Sequence, residues 1–160
     1  MKTGGRSREP GKKMKIEVSN ESDYTVLEKQ VKELTEQVIG REPEIPPNLS
    51  IAFVPPDAIA KLNQEYYGRD GETDVLAFDY GDNFAEVILN PSRLEQQAGE
   101  LGHSPGVEAG AVLIHGLLHL AGYDHTKPGE EGEHFQRQEE LSLELVQEDL
   151  ILPRGEKQKK

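Results

Sequence analysis

The chain has 160 residues, no cysteine, and a formal net charge of -12 from 18 basic and 30 acidic side chains. That length fits one domain. The missing thiols exclude disulfides and cysteine-ligated metal sites, no apolar run approaches the ~20 residues of a membrane span, and the acid excess excludes a broad basic surface for gripping nucleic acid.

The charge is unevenly spread. Ten basic residues lie within Lys2–Lys15 and Arg154–Lys160, leaving eight against 28 acids between Ile16 and Pro153. Residues 1–13 and 153–160 read as disordered basic tails, since neither carries the apolar periodicity that offsets the entropy of ordering. Residues 14–152 read as a single domain. No apolar core follows the basic N-terminus, so it is not a secretory signal, and cytoplasm is the expected location.

Met14–Ser19 alternates and predicts a strand. Tyr24–Ile39 carries Leu27, Val31, Leu34 and Val38 at helical spacing, with Ser22 or Asp23 as N-cap and Gly40 as the stop. After the prolines at 43, 46 and 47, Leu49–Val54 predicts a second strand. Pro55-Pro56-Asp57 opens a short helix, with Ile59, Leu62 and Tyr66 on one face and Gly68 behind it. Val75–Tyr80 and Ala85–Leu89 predict two strands joined by the turn Gly81-Asp82-Asn83.

Asn90-Pro91 predicts a cap and first turn for a helix to Leu101, and Ser104-Pro105 repeats that signal for the most apolar helix, ending at Gly122. A last helix is expected from about Glu130 to Leu150, with Phe135, Leu141, Leu145 and Val146 as its apolar positions. The order implies an α+β fold: a mixed, mostly parallel four-stranded sheet flanked by about five helices.

The chemistry is concentrated in His115-Gly-Leu-Leu-His119-Leu-Ala-Gly122-Tyr-Asp124-His125. Residues four apart share a helix face, so His115 and His119 can address one ion. Gly122 can take the left-handed conformation that ends the helix and reverses the chain, bringing His125 round as a third ligand. Three imidazoles plus a water or substrate oxygen make an open, catalytic zinc site. Such a site does not exclude nickel or another divalent ion. His103 reads as solvent-facing, and His134 is set aside as a ligand. Zinc peptidases of similar spacing need Glu directly after the first histidine to take a proton from the metal-bound water. Gly116 stands there, so peptidase chemistry by that route is lost.

These residues resemble the YbeY family of metal-dependent endoribonucleases, whose signature is H-G-x-L-H-L-x-G-Y-D-H. Leu62-Asn63 through Tyr66, Gly68-Arg69-Asp70 and Thr73-Asp74-Val75-Leu76-Ala77-Phe78 resemble a second family block, and the stretch with Phe135 and Glu139 resembles its C-terminal part. The similarity runs from Ile16 to Leu150. Tyr67 stands where the family usually carries an arginine, Ala77 where it has serine, and Ala85-Glu86 where it has Gly-Asp.

The resemblance implies one zinc ion per chain, single-stranded RNA as substrate, and a role in ribosomal RNA processing at the small subunit, with ribosome-associated proteins as possible partners. Either water or the RNA 2′-hydroxyl is open as nucleophile, and no residue stands out as general base. Arg69 is a candidate for neutralising the scissile phosphate, or a solvated loop arginine. Tyr67 is the better candidate to stack on a base, with Tyr66 expected in the core beside Leu62. Asp124 either orients a ligand or caps the turn, and Asp74 is expected to cap or brace the cleft strand rather than react. Another zinc hydrolase and a non-catalytic ribosome-associated factor are the alternatives.

Overall fold

The protein is described here from a computed structural model, which covers residues 14–124, 129 and 131–158. Its elements run β1 (Lys15–Asn20), α1 (Glu28–Arg41), β2 (Asn48–Phe53), α2 (Pro56–Tyr67), β3 (Val75–Gly81), β4 (Phe84–Leu89), α3 (Pro91–Leu101), α4 (Pro105–Leu120) and α5 (Glu131–Leu145). The sheet order is β1-β2-β4-β3, with β1–β2 and β2–β4 parallel and β3–β4 antiparallel. This is the expected α+β architecture. Asp82 and Asn83 both take positive φ (53° and 63°), the geometry a two-residue hairpin turn requires.

Strand residues alternate between two layers. Leu49, Ile51, Phe53, Ala85, Val87 and Leu89 face the larger core with α1, α3, α4 and α5, whereas Ala52, Ile88 and Leu76 face α2 through Ile59. α4 is central, touching α1, α3, α5, β3 and β4. Eleven of its sixteen residues are buried, so it is apolar nearly all round, as an interior helix must be. Two glycines let neighbours approach it: a Cβ on Gly106 would lie 2.3 Å from Asp149 Cβ, and one on Gly110 2.8 Å from Val146 Cγ1. Asn90 and Ser104 cap α3 and α4 as expected, accepting from the backbone N–H of Arg93 and Val107.

Three expectations shift. α1 starts at Glu28, not Tyr24, because Val26 bridges Ile151 and the Leu27 N–H donates to Leu150 O; it then runs through Gly40 to Arg41. α5 ends at Leu145, and its Phe135 is 57% exposed rather than core. The segment expected to be a free tail from residue 153 packs at its start. Thr25 Oγ1 donates to Glu156 O, and the Arg154 guanidinium lies 5.2 Å from the Tyr24 ring centroid and 3.2 Å from the Asp23 carboxylate. The N-terminal stretch 1–13 lies outside the described residues. No described helix is long and apolar enough to cross a membrane.

Candidate metal centre

α4 carries His115 and His119 one turn apart, and both line a cleft of about 510 Å³. The helix ends as the glycine foretold. Gly122 takes φ +106°, and the Tyr123 N–H reaches back to Leu118 O at 3.1 Å, closing a Schellman-type cap. That turn delivers Asp124 to the same cleft. His125 lies outside the described residues.

The His115 ring is held on two sides. Its Nδ1–H donates to Gln138 Oε1 at 2.7 Å, so Nε2 bears the lone pair and is the nitrogen suited to a metal. Its flat face stacks on His134, 4.1 Å between centroids and 9° between planes. His134 is fully buried and donates from Nε2 to His115 O at 3.1 Å. It therefore backs a candidate ligand rather than sitting apart from it. α5 is positioned for this by Arg41, whose guanidinium makes two bonds to Glu144 (2.6 and 2.8 Å), and by Arg137, which donates to Glu42 at 2.9 Å. Burial, helped by the Glu42 carboxylate, pushes the Tyr123 phenol above its ordinary pKa.

The opposite wall is the loop between α2 and β3. Gly68 takes φ +64° and ends α2, releasing Arg69 into the cleft with its guanidinium 5.8 Å from the Tyr67 ring centroid. Tyr67 also lines the cleft and donates its hydroxyl to Ala77 O at 3.2 Å. Tyr66 is 63% exposed and packs on Phe78 at 5.2 Å, contrary to the core position expected from helical spacing with Leu62. The last turn of α2 lies over the edge strand β3, where Tyr66 and Tyr67 both meet Phe78.

Asp74 braces the strand as expected. Its carbonyl accepts from Asn90 N, and its carboxylate accepts from Gln97 Nε2 at 3.3 Å. Gln97 also donates to the buried Glu108 at 2.9 Å, and Glu108 accepts from His103 Nε2 at 2.7 Å. His103 is thus tied into this chain of contacts rather than simply facing water, with its side chain 36% exposed.

The structure brings His115, His119, Asp124, Tyr67 and Arg69 to one cleft. Gln138, Gln97 and Glu108 went unseen in the sequence, where His134 is weighed only as a ligand, not as the ring that backs one. Asp70, Glu72, Asp74 and Asp124 also line the cleft, against Arg69 as the permanent cation among its described residues. Two imidazoles and four carboxylates are the kinds of group that bind divalent cations, although no three of them among the described residues stand together as a ligand set. Gly116 lies between the two histidines, where a Cβ would sit 3.1 Å from Val87 and 3.2 Å from Val75. A side chain there would press on the two valines, and glycine supplies no carboxylate to act as a peptidase's base.

The family model described as Endoribonuclease YbeY matches residues 12–146. The chain is similar to a protein named Endoribonuclease YbeY in Mycolicibacterium smegmatis, 36% identical over 149 residues, covering 83% of this chain and 84% of that one. One of the same name in Lysinibacillus sphaericus is 33% identical over 135 residues, covering 75% and 85%. The fold is similar to the solution structure of TM1509 from Thermotoga maritima, with TM-score 0.58 and 30% identity over 81% of this chain and 88% of that one. With the two histidines, the glycine-ended helix and the Arg69 loop all in place, the chain belongs to the YbeY family.

Proposed function

We propose that this protein is a zinc-dependent endoribonuclease that cuts single-stranded RNA during ribosomal RNA processing, at the 3′ end of the small-subunit RNA, and in ribosome quality control. Family membership supports the reaction and RNA as substrate. Residues 14–152 form the working domain, in the cytoplasm, with the small ribosomal subunit as its partner. The observation that carries the reading is the pair His115 and His119 in one cleft, with the His115 tautomer set by Gln138 so that Nε2 faces a ligand's role. His125 completes the ligand set, one zinc per chain.

Bound zinc would supply a Lewis acid for a phosphoryl oxygen and lower the pKa of a water to about 7. The protein's residues do the rest. Arg69 matches the scissile phosphate bidentately and opposes its charge. The carboxylates around it repel RNA in the absence of a cation, which makes cutting conditional on metal. Tyr67, where the family carries arginine, gives a ring for a neighbouring base and holds Arg69 over its face. Asp124 lies beside the histidines and orients a ligand or the nucleophile. The acid-rich cleft also favours a second reading, a zinc-containing ribosome-associated factor without catalysis; the lack of a carboxylate at Gly116 disfavours a peptidase.

The test pairs metal analysis of purified protein with cleavage of a single-stranded RNA. About one zinc per chain and metal-dependent cutting are expected. His119→Ala should lose both, and Arg69→Ala should keep zinc while cutting about 100-fold more slowly. Zinc-loaded protein that cuts no RNA would leave the non-catalytic factor as the better reading.

A further inference from the structure

The described residues cover the sheet face that carries α2 only in part. α2 packs on Ala52, Ile88 and Leu76. Two residues along each strand, on the same face, come Ser50, Glu86 and Phe78, and beyond them Asn48 and Phe84. Here the rings form one continuous strip. Tyr66 and Tyr67 meet Phe78 at 5.2 and 5.7 Å, Phe78 meets Tyr80 at 6.2 Å, and Tyr80 meets Phe84 at 5.5 Å. Tyr80 and Phe84 are 53% and 42% exposed, so the outer end stands in water. The inner end is Tyr67, which lines the metal-binding cleft. Contiguous exposed aromatic surface of this kind marks an interaction site.

Its chemistry selects the occupant. The polar groups around the rings are chiefly acceptors: Glu86 takes hydrogen bonds from Tyr80 (2.9 Å) and Ser50 (3.4 Å), and Lys15 is paired with Glu17 at 3.6 Å. Such a surface repels phosphates. It suits nucleobases, which are uncharged, have a π-face for stacking, and carry amino groups that donate to carboxylates. Aromatic side chains on neighbouring strands of an open sheet are a known way to hold unstacked RNA bases.

We propose that this strip holds the single-stranded RNA next to the cut, bases stacked against the rings and backbone turned to solvent. The proposal rests on the ribonuclease reading and adds where, and through which groups, the substrate is held away from the reacting phosphate. Because neighbouring rings already stack on one another, a base meets the ring surface left free at the exposed end of the strip, or the ring edges, rather than entering between two rings.

The experiment uses the zinc-loaded full chain, a dinucleotide and a longer single-stranded oligoribonucleotide, at low and high salt. The combined Tyr80→Ala and Phe84→Ala variant should raise KM for the long RNA about tenfold or more per stacked base. Its kcat and its cutting of the dinucleotide should stay as in the unaltered protein, and its urea midpoint should confirm folding. The loss should be the same at both salts, since stacking releases no counterions. Tyr80→Phe and Phe84→Tyr should keep the original KM, because they keep the rings. An unchanged KM in the alanine variant overturns the proposal, as does a loss that vanishes at high salt. Unchanged RNA kinetics with an altered sedimentation state would identify a second copy as the occupant. If the unaltered protein cuts no RNA, the ribonuclease reading falls and this one with it; if it cuts and the variant matches it, this one falls alone.

Discussion

Gln138→Leu is expected to weaken zinc binding while leaving the fold nearly intact. The amide oxygen sits 2.7 Å from His115 Nδ1, at the short end for an N–H···O bond, and it determines which ring nitrogen carries the proton. Leucine keeps the bulk and helix preference of glutamine but offers no acceptor. A single neutral hydrogen bond nets about 1 kcal/mol of stability, so the unfolding free energy should drop by about that much. Loss of the partner that orients a ligating imidazole costs about 10- to 100-fold in metal affinity, or roughly 1.4–2.8 kcal/mol. Gln138→Glu supplies a charged acceptor in the same place and should bind zinc at least as tightly as the parent. Competition against a chromogenic chelator gives the affinities, and urea unfolding of the metal-free proteins gives the stabilities. If Gln138→Leu holds zinc as tightly as the parent, His115 is not a ligand through Nε2 and the reasoning fails.

Glu108→Ala should cost about 2–3 kcal/mol in urea unfolding, because it strips the buried acceptor from both Gln97 and His103. Two glycine-to-alanine changes should differ in sign. Gly99 in α3 has nothing within 4 Å of its added Cβ, so Gly99→Ala should stabilise by about 0.5–1 kcal/mol. Gly106→Ala drives a Cβ into Asp149 and should destabilise by about 1–2 kcal/mol in the same assay. Burial and the hydrogen bond to Glu86 push the Tyr80 phenol up to about 12 from its ordinary 10.0. The folded state then keeps a proton that the unfolded chain loses, so this contribution is complete below pH 10.0 and fades as pH rises towards 12. Tyr80→Phe should flatten that decline in urea midpoint; an unchanged slope would count against the shift.

Local signals in the sequence were reliable where local physics decides. Asn90-Pro91 and Ser104-Pro105 marked two helix starts to the residue, because a cap bonds within its own first turn. The histidine pair and Gly122 were legible for the same reason. The beginning of α1 was not, since Val26 and Leu27 are held extended by Leu150 and Ile151 at the other end of the chain. Gln138 lies 23 residues from the ring it orients, and no periodicity announces it. His134 reads as an ordinary helix histidine until its ring is seen flat against His115. Tyr66 has core spacing, yet it lies over Phe78 of the edge strand and stays 63% exposed.

The bridge between Val26 and Ile151 has a consequence for how the molecule is made. A nascent chain can form α1 early, but the residues that pin its entry are synthesised long after that helix. Leu150 and Ile151 are nearly or fully buried, so a chain stopped before them would leave apolar surface in α1 and α4 open to water. Folding is therefore completed only once translation has passed Ile151, and a partial chain on the ribosome would expose a surface that the finished protein conceals.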